Sequence, residues 1–496
     1  MTKKLHVAVV GGGISGMTAA LVLAQFGHEV TLIERSAKLG QTVRGFTRQG
    51  VYFDTGFHYT GALGEHGLLT RYLRFLGLDD LPIVPLNEKK FDTIRFAAEK
   101  REICLCTGYE ALKERFHNLF PQERQAIDAY FDEARKVVLA SPFLNMATDI
   151  KTLLSAEAGQ DSLAVFLAKR TKDPILNATL SIHTLLHGTK PDEVSFLQHI
   201  RVASSYFDSV HTLAGGGQTL VQHFENRLKE EGVRILCGNG VSGINMTDPK
   251  TICGVTLNDG NTLDVDTVVY TGHPSFLNAI APPGAFRPAY RHRLLALEDT
   301  LSAYMLFGIS DKPIASLADG NLFLCPNADL DAFFEPDRNI ETGPFYVTAG
   351  RGKIGSSKEF GVTIVGPANM AELTEWQDTV TGKRGTQYTD FKAEKMRRFR
   401  NAVVSICPDL ADVRFVDGAT PLTLRDYTHS PTGSLYGCKH SLYQFNPQPV
   451  TRIPNLYLAG QSIIAPGILG AVISAFLVCG FIVGQDTLRT ELISCV

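Results

Sequence analysis

Residues 5–34 read LHVAVVGGGISGMTAALVLAQFGHEVTLIE, and the fold is decided there. Leu5 to Val10 is apolar, β-rich and closed by glycines, the pattern of a short buried strand. Ile14 to Phe26 carries apolar residues on several faces, as a helix covered all round must, and Gly27 ends it. Glu29 to Glu34 is a second, largely apolar strand. Strand, helix and strand at this spacing make a βαβ unit whose two strands run parallel. Gly11, Gly13 and Gly16 place G-x-G-x-x-G at the turn from strand to helix. The first permits the sharp turn, the second lets the backbone approach a pyrophosphate, and the third lets the helix pack on the strand. The free N–H groups of the helix start, at Ile14 and Ser15, then face the phosphates with the positive end of the helix dipole behind them. Glu34, with Arg35 beside it, stands where a carboxylate accepts hydrogen bonds from ribose hydroxyls. That carboxylate disfavours the 2′-phosphate of NADP. Between NAD and FAD this motif does not choose.

Outward from this unit, Gly67 to Leu76 has helical spacing, and Leu105 to Leu185 is mostly helical in pattern with breaks at Pro121, Pro142 and Pro174. Gly215-Gly216-Gly217 leads into a helix from Gln218 to Glu231, followed by strands at Val233–Cys237 and Val265–Tyr270. The glycine cluster gives G-x-G-x-x-Leu with no apolar strand read before it, so a separate NAD(P)H fold is not expected. Pro282 to Asp426 mixes strands and helices. Leu456–Leu458 is a brief strand before Ala459-Gly460-Gln461. No repeat, heptad array or low-complexity tract interrupts this order. The fold class is α/β: a Rossmann-type domain assembled from separated segments, with a mixed α+β second domain.

Bulk properties exclude several classes. The chain of 496 residues carries 48 basic and 51 acidic residues for a net charge of −3, which gives no footprint for a nucleic-acid partner. Nine cysteines without CxxC or Cys/His spacing read as reduced thiols of a cytoplasmic-type compartment, and no metal site is expected. The basic start followed by an apolar run resembles a signal peptide only briefly, because the run continues into glycines and a helix without a cleavage site. Ile463 to Val483 holds no charged residue and has the length of a membrane span. Pro466, Gly467, Gly470 and Gly480, with polar Gln461-Ser462 at its start, favour a buried helix instead.

Two further segments decide the cofactor. LGQTVRGF at 39–46 and GVYFDTGFHY at 50–59 resemble the second flavin-contacting stretch of the phytoene desaturase superfamily. NLYLAGQSIIAPGILGA at 455–471 resembles its C-terminal FAD motif. FDTGFHY, the AGQS…GILGA ending, TPLT at 420–423 and GSLYG at 433–437 are closer to the retinol saturase and carotenoid isomerase branch. The resemblance implies bound FAD, with residues 1–75, 213–275 and 415–496 forming the FAD domain and 76–212 and 276–414 the substrate domain. It assigns Gly11, Gly13 and Gly16 to the pyrophosphate and Glu34 to the adenosine ribose. Val241 brings its backbone near adenine. Gly40, Gln41, Thr42, Gly56, Phe57 and His58 fall on the flavin side, and so do Gly460, Gln461 and the helix start at Gly467, Ile468, Leu469 and Gly470. Gln41 stands where the family usually has glycine, which leaves the path of that loop open.

The implied activity is oxidoreduction at C=C bonds of an apolar polyene or isoprenoid, by saturation or isomerisation. Polyene desaturation and reductive cyclisation are alternatives within the fold. Saturation adds hydride to one carbon and a proton to the other, so a proton donor is needed near the flavin. His58 and Tyr59 are the first candidates, Tyr436 and His440 the second. His183, His187, His199 and His211 read as ordinary helix or surface residues. Amine oxidation would require an aromatic cage, and with Trp376 as the one tryptophan none is visible near the flavin motifs. A non-catalytic escort of prenylated partners is the reading of another class, and the intact glycine motifs count against it. The expected location is cytoplasmic, with peripheral contact on the inner membrane face, and the electron donor is left open.

Overall fold

The computed structural model describes residues 3–146, 148, 161–248, 250–335, 339–351 and 359–495. Five strands form a parallel sheet in the order Arg234–Cys237, Glu29–Glu34, His6–Val10, Thr267–Tyr270 and Leu456–Leu458. Successive residues of a strand point to opposite faces. Val7 and Val9 therefore join one core layer, while Ala8 and Val10 join the other. The first layer is closed by the helices Ile14–Gln25, Gly216–Glu230 and Gly467–Val483. The second is closed by an antiparallel sheet of Val241–Asp248, Thr251–Leu257 and Thr262–Asp264. Because both faces are covered, these strands are apolar throughout rather than alternating.

The helix Ile14–Gln25 is buried from Ile14 to Leu23, since it sits between the sheet and the helix Gly467–Val483. Ser15 Oγ donates to the Ala471 carbonyl at 2.8 Å and ties the two helix starts together. Pro466 is extended just before Gly467, so the C-terminal helix begins at Gly467 rather than at Ile463. Val472 to Gly480 are buried against the rest of the chain, which accounts for their composition. Among the described residues, no helix is long and apolar enough to cross a membrane.

A seven-stranded sheet lies beside this unit, in the order Arg414–Ala419, Ser302–Ser310, Phe360–Ala368, Phe345–Ala349, Asn321–Cys325, Asp92–Phe96 and Arg101–Leu105. The Arg414–Ala419 strand pairs with Ser302–Ser310, so a boundary at 415 falls inside this sheet. The helices Tyr109–Leu119, Arg124–Ala140, Leu163–Ala168, Pro174–Ser181 and Phe196–Asp208 build a separate apolar cluster against it. Pro174 opens a helix instead of breaking one, because at the first helical position its missing N–H has no partner to lose. Residues 147 and 149–160 of that helical stretch lie outside the described residues.

A strand does precede the Gly215–Gly217 cluster. Val210–Leu213 was hidden by its polar His211 and Thr212. It pairs antiparallel with Thr60–Gly61 and Ile83–Pro85 in a small sheet of its own, so the segment is not a second βαβ unit.

His183, His187 and His199 are buried inside the helical cluster rather than on its surface. His187 Nε2 lies 3.2 Å from His199 Nδ1, and His199 Nε2 lies 3.3 Å from the Tyr130 hydroxyl. Burial holds His183 down at about 4, His187 at about 3 and His199 well below the ordinary 6.5. The unfolded chain then binds protons that the folded chain refuses, so each group contributes a loss of stability as pH falls below 6.5. His183→Gln is expected to remove about 2 kcal/mol of the destabilisation incurred between about pH 7 and about pH 5. Denaturant unfolding at both pH values reads this directly. An equal acid loss in wild type and variant would contradict it.

Candidate cofactor groove and reaction cavity

The carboxyl ends of the parallel strands open onto one groove lined by Gly11, Gly12, Gly13, Glu34, Arg35, Gln41, Thr42, Val241, Gly460 and Gln461. Gly11 turns the chain at φ 111°, a conformation only glycine adopts readily. A Cβ on Gly16 would sit 1.8 Å from the Gly11 carbonyl oxygen, whereas a Cβ on Gly13 would meet nothing within 4 Å. The space above Gly13 is therefore a cradle that a side chain would fill. It is the fit expected for a diphosphate at the helix start. Glu34 accepts from the Gly12 amide at 2.6 Å and from the Ser36 amide at 2.7 Å, one on each oxygen. Its remaining lone pairs are left for ribose hydroxyls. Arg35 donates to the His429 carbonyl at 3.2 Å and stacks over Phe276.

The turn after Glu34 is made at Gly40, whose φ is 69° and whose amide donates to Gly12 O at 2.8 Å. Gln41 is not among the residues with left-handed backbone, so the loop follows its path without a second glycine. Asp54 of the FDTG stretch accepts from the Gly217 amide at 2.8 Å and from Tyr52 at 2.9 Å. It caps the helix Gly216–Glu230 and anchors the stretch that follows. Burial raises Asp54 to about 6 against these hydrogen bonds.

That stretch, Thr55 to Thr60, forms one wall of a cavity of about 300 Å³. Gly13, Gly460 and Gln461 line both this cavity and the groove, and Ile14, Ser15, Gly467, Ile468 and Ala471 continue the wall from them. Leu469 and Gly470 turn instead toward a neighbouring cavity. The rest comes from scattered segments: Tyr206, Phe323, Tyr346 and Tyr436 with Leu185, Leu186, Met305 and Val365. Among the described residues, no Asp, Glu, Lys or Arg lines this cavity. His58 is accessible from inside it but removed from bulk water, and desolvation lowers it to about 4. The cavity is thus uncharged at neutral pH.

Tyr59 stacks against Tyr346 with ring centroids 6.1 Å apart, and its hydroxyl donates to Asp92 at 2.7 Å. An aromatic lining is therefore present, contrary to the sequence expectation. It was invisible because its rings lie far apart in the chain and only the fold gathers them. Trp376 has no part in it, packing on Tyr388 and Phe391. Tyr436 lines the cavity, and burial pushes its phenol up. His440 does not reach the cavity. It lies 2.7 Å from the Gln461 carbonyl and 3.3 Å from Asn446 Nδ2, and it faces the neighbouring space. Asp92, Tyr206 and Tyr346 escaped the sequence reading. The signal for Asp92 was a lone acid in an otherwise strand-like run, FDTIRF at 91–96.

The neighbouring space, about 670 Å³, shares Thr60, Leu186, Tyr206, Gly467 and Ile468 with the first. Its lining includes Phe445, Val450 and Phe481, which are 50%, 46% and 37% exposed and so mark an apolar mouth. All nine cysteines are free. His273, Asp299 and Cys438 bring ligand atoms within 4.8 Å of one another beside the groove. His273 Nε2 lies 2.8 Å from Asp299 and 3.1 Å from Cys438, so the three groups satisfy one another directly.

Comparison with known proteins matches residues 14–298 to the model of the flavin containing amine oxidoreductase family. The chain is 27% identical over 533 residues to all-trans-retinol 13,14-reductase of Danio rerio, covering 99% of this chain and 88% of the relative. It is 22% identical to 4,4'-diapolycopene oxygenase of Methylomonas sp, covering 92% and 94%. Among solved structures, an oxidoreductase from Methanosarcina mazei superposes with TM-score 0.69 at 16% identity, covering 95% of this chain and 99% of that one.

Gly13→Val adds a branched side chain to open space at a residue with extended backbone, φ −76°. It is expected to change folding stability by no more than about 1 kcal/mol while abolishing retention of flavin. Gly16→Val, by contrast, is expected to prevent folding. Absorbance of the purified variants beside their thermal unfolding checks both. Full flavin content in Gly13→Val would contradict the assignment of the groove.

Proposed function

This chain belongs to the flavin containing amine oxidoreductase family, and from that premise we propose that it is an FAD-dependent reductase of C=C bonds in an apolar polyene or isoprenoid. FAD supplies hydride or electron transfer at its N5. The chain's own residues do the remainder. The amides at Gly13 to Ser15 and at Gly467 to Ile468 would hold the diphosphate and the flavin's carbonyl edge. Glu34 would hold the ribose, and Val241 would border adenine.

The observation that carries the substrate class is the uncharged wall of the reaction cavity, continuous with a second apolar space. A long hydrocarbon gains from burial along such a surface, by about 25 cal/mol per Å². Among the described residues no charged side chain lines the reaction cavity, and Arg201 is the charged residue lining the second space. The names of the two relatives, a retinol reductase and a diapolycopene oxygenase, support the same class. The aromatic lining favours a second reading, oxidation of an amine, as the family description suggests. Against it, among the described residues no acidic side chain stands at the cavity surface to receive an ammonium group.

The exposed Phe445, Val450 and Phe481 at the outer mouth support entry of substrate from lipid, with the protein cytoplasmic and peripheral on the membrane face. Anaerobic mixing of the reduced protein with retinoids, carotenoids and amines tests the reaction. Reoxidation of the flavin by a polyene is the expected result. Electron exchange with amines alone would overturn the reading.

A further inference from the structure

Behind the reaction cavity lies a polar cluster that flavin binding does not use. Asp92, on the strand Asp92–Phe96, is 0% exposed. Its Oδ2 accepts from the Tyr59 hydroxyl at 2.7 Å, and its Oδ1 accepts from Asn321 Nδ2 at 2.8 Å. Asn321 is its register partner on the adjacent parallel strand. Asn321 Oδ1 in turn accepts from Thr348 Oγ1 at 2.8 Å, which fixes the amide with its nitrogen toward Asp92.

The other titratable or charged groups facing the carboxyl are Tyr206, Tyr346 and Arg351. Arg351 spends its guanidinium on the carbonyls of Leu317 and Gly320, so among the described residues no cation pairs with Asp92 directly. A buried carboxylate without a paired cation is costly, and a well-packed apolar pair would be the more stable choice. Burial raises Asp92 to about 7, so acid and carboxylate coexist near neutral pH.

The amide of Asn321 pins Oδ1 as an acceptor, so a proton on Asp92 must sit on Oδ2, the oxygen facing Tyr59. The direction of the Tyr59 bond then depends on that proton. When Asp92 is ionised, Tyr59 donates to it and its proton is tied down. When Asp92 is protonated, the carboxyl donates to the Tyr59 oxygen, and the phenolic proton is free to turn to the cavity that Tyr59 lines.

We infer that Asp92 is a positioning residue, the proton store that arms and recharges Tyr59 as the proton donor of C=C reduction. This rests on the reductase reading above. The bound flavin would supply the hydride of one C–H bond; for the second, the π electron pair takes the Tyr59 proton, and the Tyr59 O–H bond breaks. The Asp92 proton moves to the Tyr59 oxygen, and the carboxylate takes a proton from water before the next turnover. Reduced flavin and water supply the hydride and the proton that are consumed.

Asp92→Asn keeps both hydrogen bonds, with its nitrogen donating to Tyr59, but it holds no transferable proton. It is expected to fold with thermal stability at neutral pH no lower than wild type's, since it removes a costly buried carboxyl, and to lower kcat for the polyene about 100-fold, with KM preserved. Wild-type kcat is expected to fall as pH rises through about 7, where Asp92 loses its proton, and Asp92→Asn is expected to lack that limb. Tyr59→Phe is expected to lose kcat to a similar extent.

An infrared titration of the protein without substrate gives a readout apart from turnover. A carboxylic-acid band vanishing near pH 7 in wild type and absent from Asp92→Asn is expected. Wild-type kcat and an intact pH limb in Asp92→Asn, or no such band in wild type, would overturn the inference. A band at the expected pH with no polyene turned over by wild type would instead overturn the reductase reading, and with it the delivery step.

Discussion

Everything about this molecule depends on two helix starts meeting at one groove. The amides opening Ile14–Gln25 and those opening Gly467–Val483 are unsatisfied within their own helices, and Ser15 to Ala471 holds the two ends side by side. The parallel sheet makes the meeting possible. Its strand Leu456–Leu458 pairs beside Thr267–Tyr270, which pairs beside His6–Val10, so the chain's last segment returns to the edge of its first. A dinucleotide seated there would draw on backbone amides from both ends of the chain.

From that geometry follows a division of labour in polarity. The groove is polar and rich in backbone donors, as an anionic cofactor needs. The cavity beyond it is uncharged, as an apolar substrate needs. The carboxyl of Asp92 is withdrawn behind Tyr59 and satisfied there by two hydrogen bonds. Placing the acid one residue back keeps the surface apolar while leaving a proton within a hydrogen bond of it.

What the sequence revealed divides along the same line. The βαβ unit at 5–34 was legible because strand, glycine turn, helix and acid are local, and local patterns survive without knowledge of the fold. Leu456–Leu458 and the buried C-terminal helix were legible through a motif for the same reason. The aromatic cavity was not. Tyr59, Tyr206, Phe323 and Tyr346 are joined only by the packing of the seven-stranded sheet against the helical layer. Val210–Leu213 escaped because its polar residues break the apolar pattern, and the expected boundary at 415 falls within the strand Arg414–Ala419 because nothing local names a strand's partner. His440 drew interest by standing near the flavin motif, yet its ring is turned to the other side of Gln461.

The convergence of the two chain ends is tested most directly by a crystal structure of the chain loaded with FAD. The account predicts one FAD per chain, its diphosphate against Gly13 to Ser15, its ribose on Glu34, and its ring between Gly467–Ile468 and the His58–Tyr59 wall. A chain that takes up no FAD, or a flavin whose ring lies outside that cavity, would contradict it.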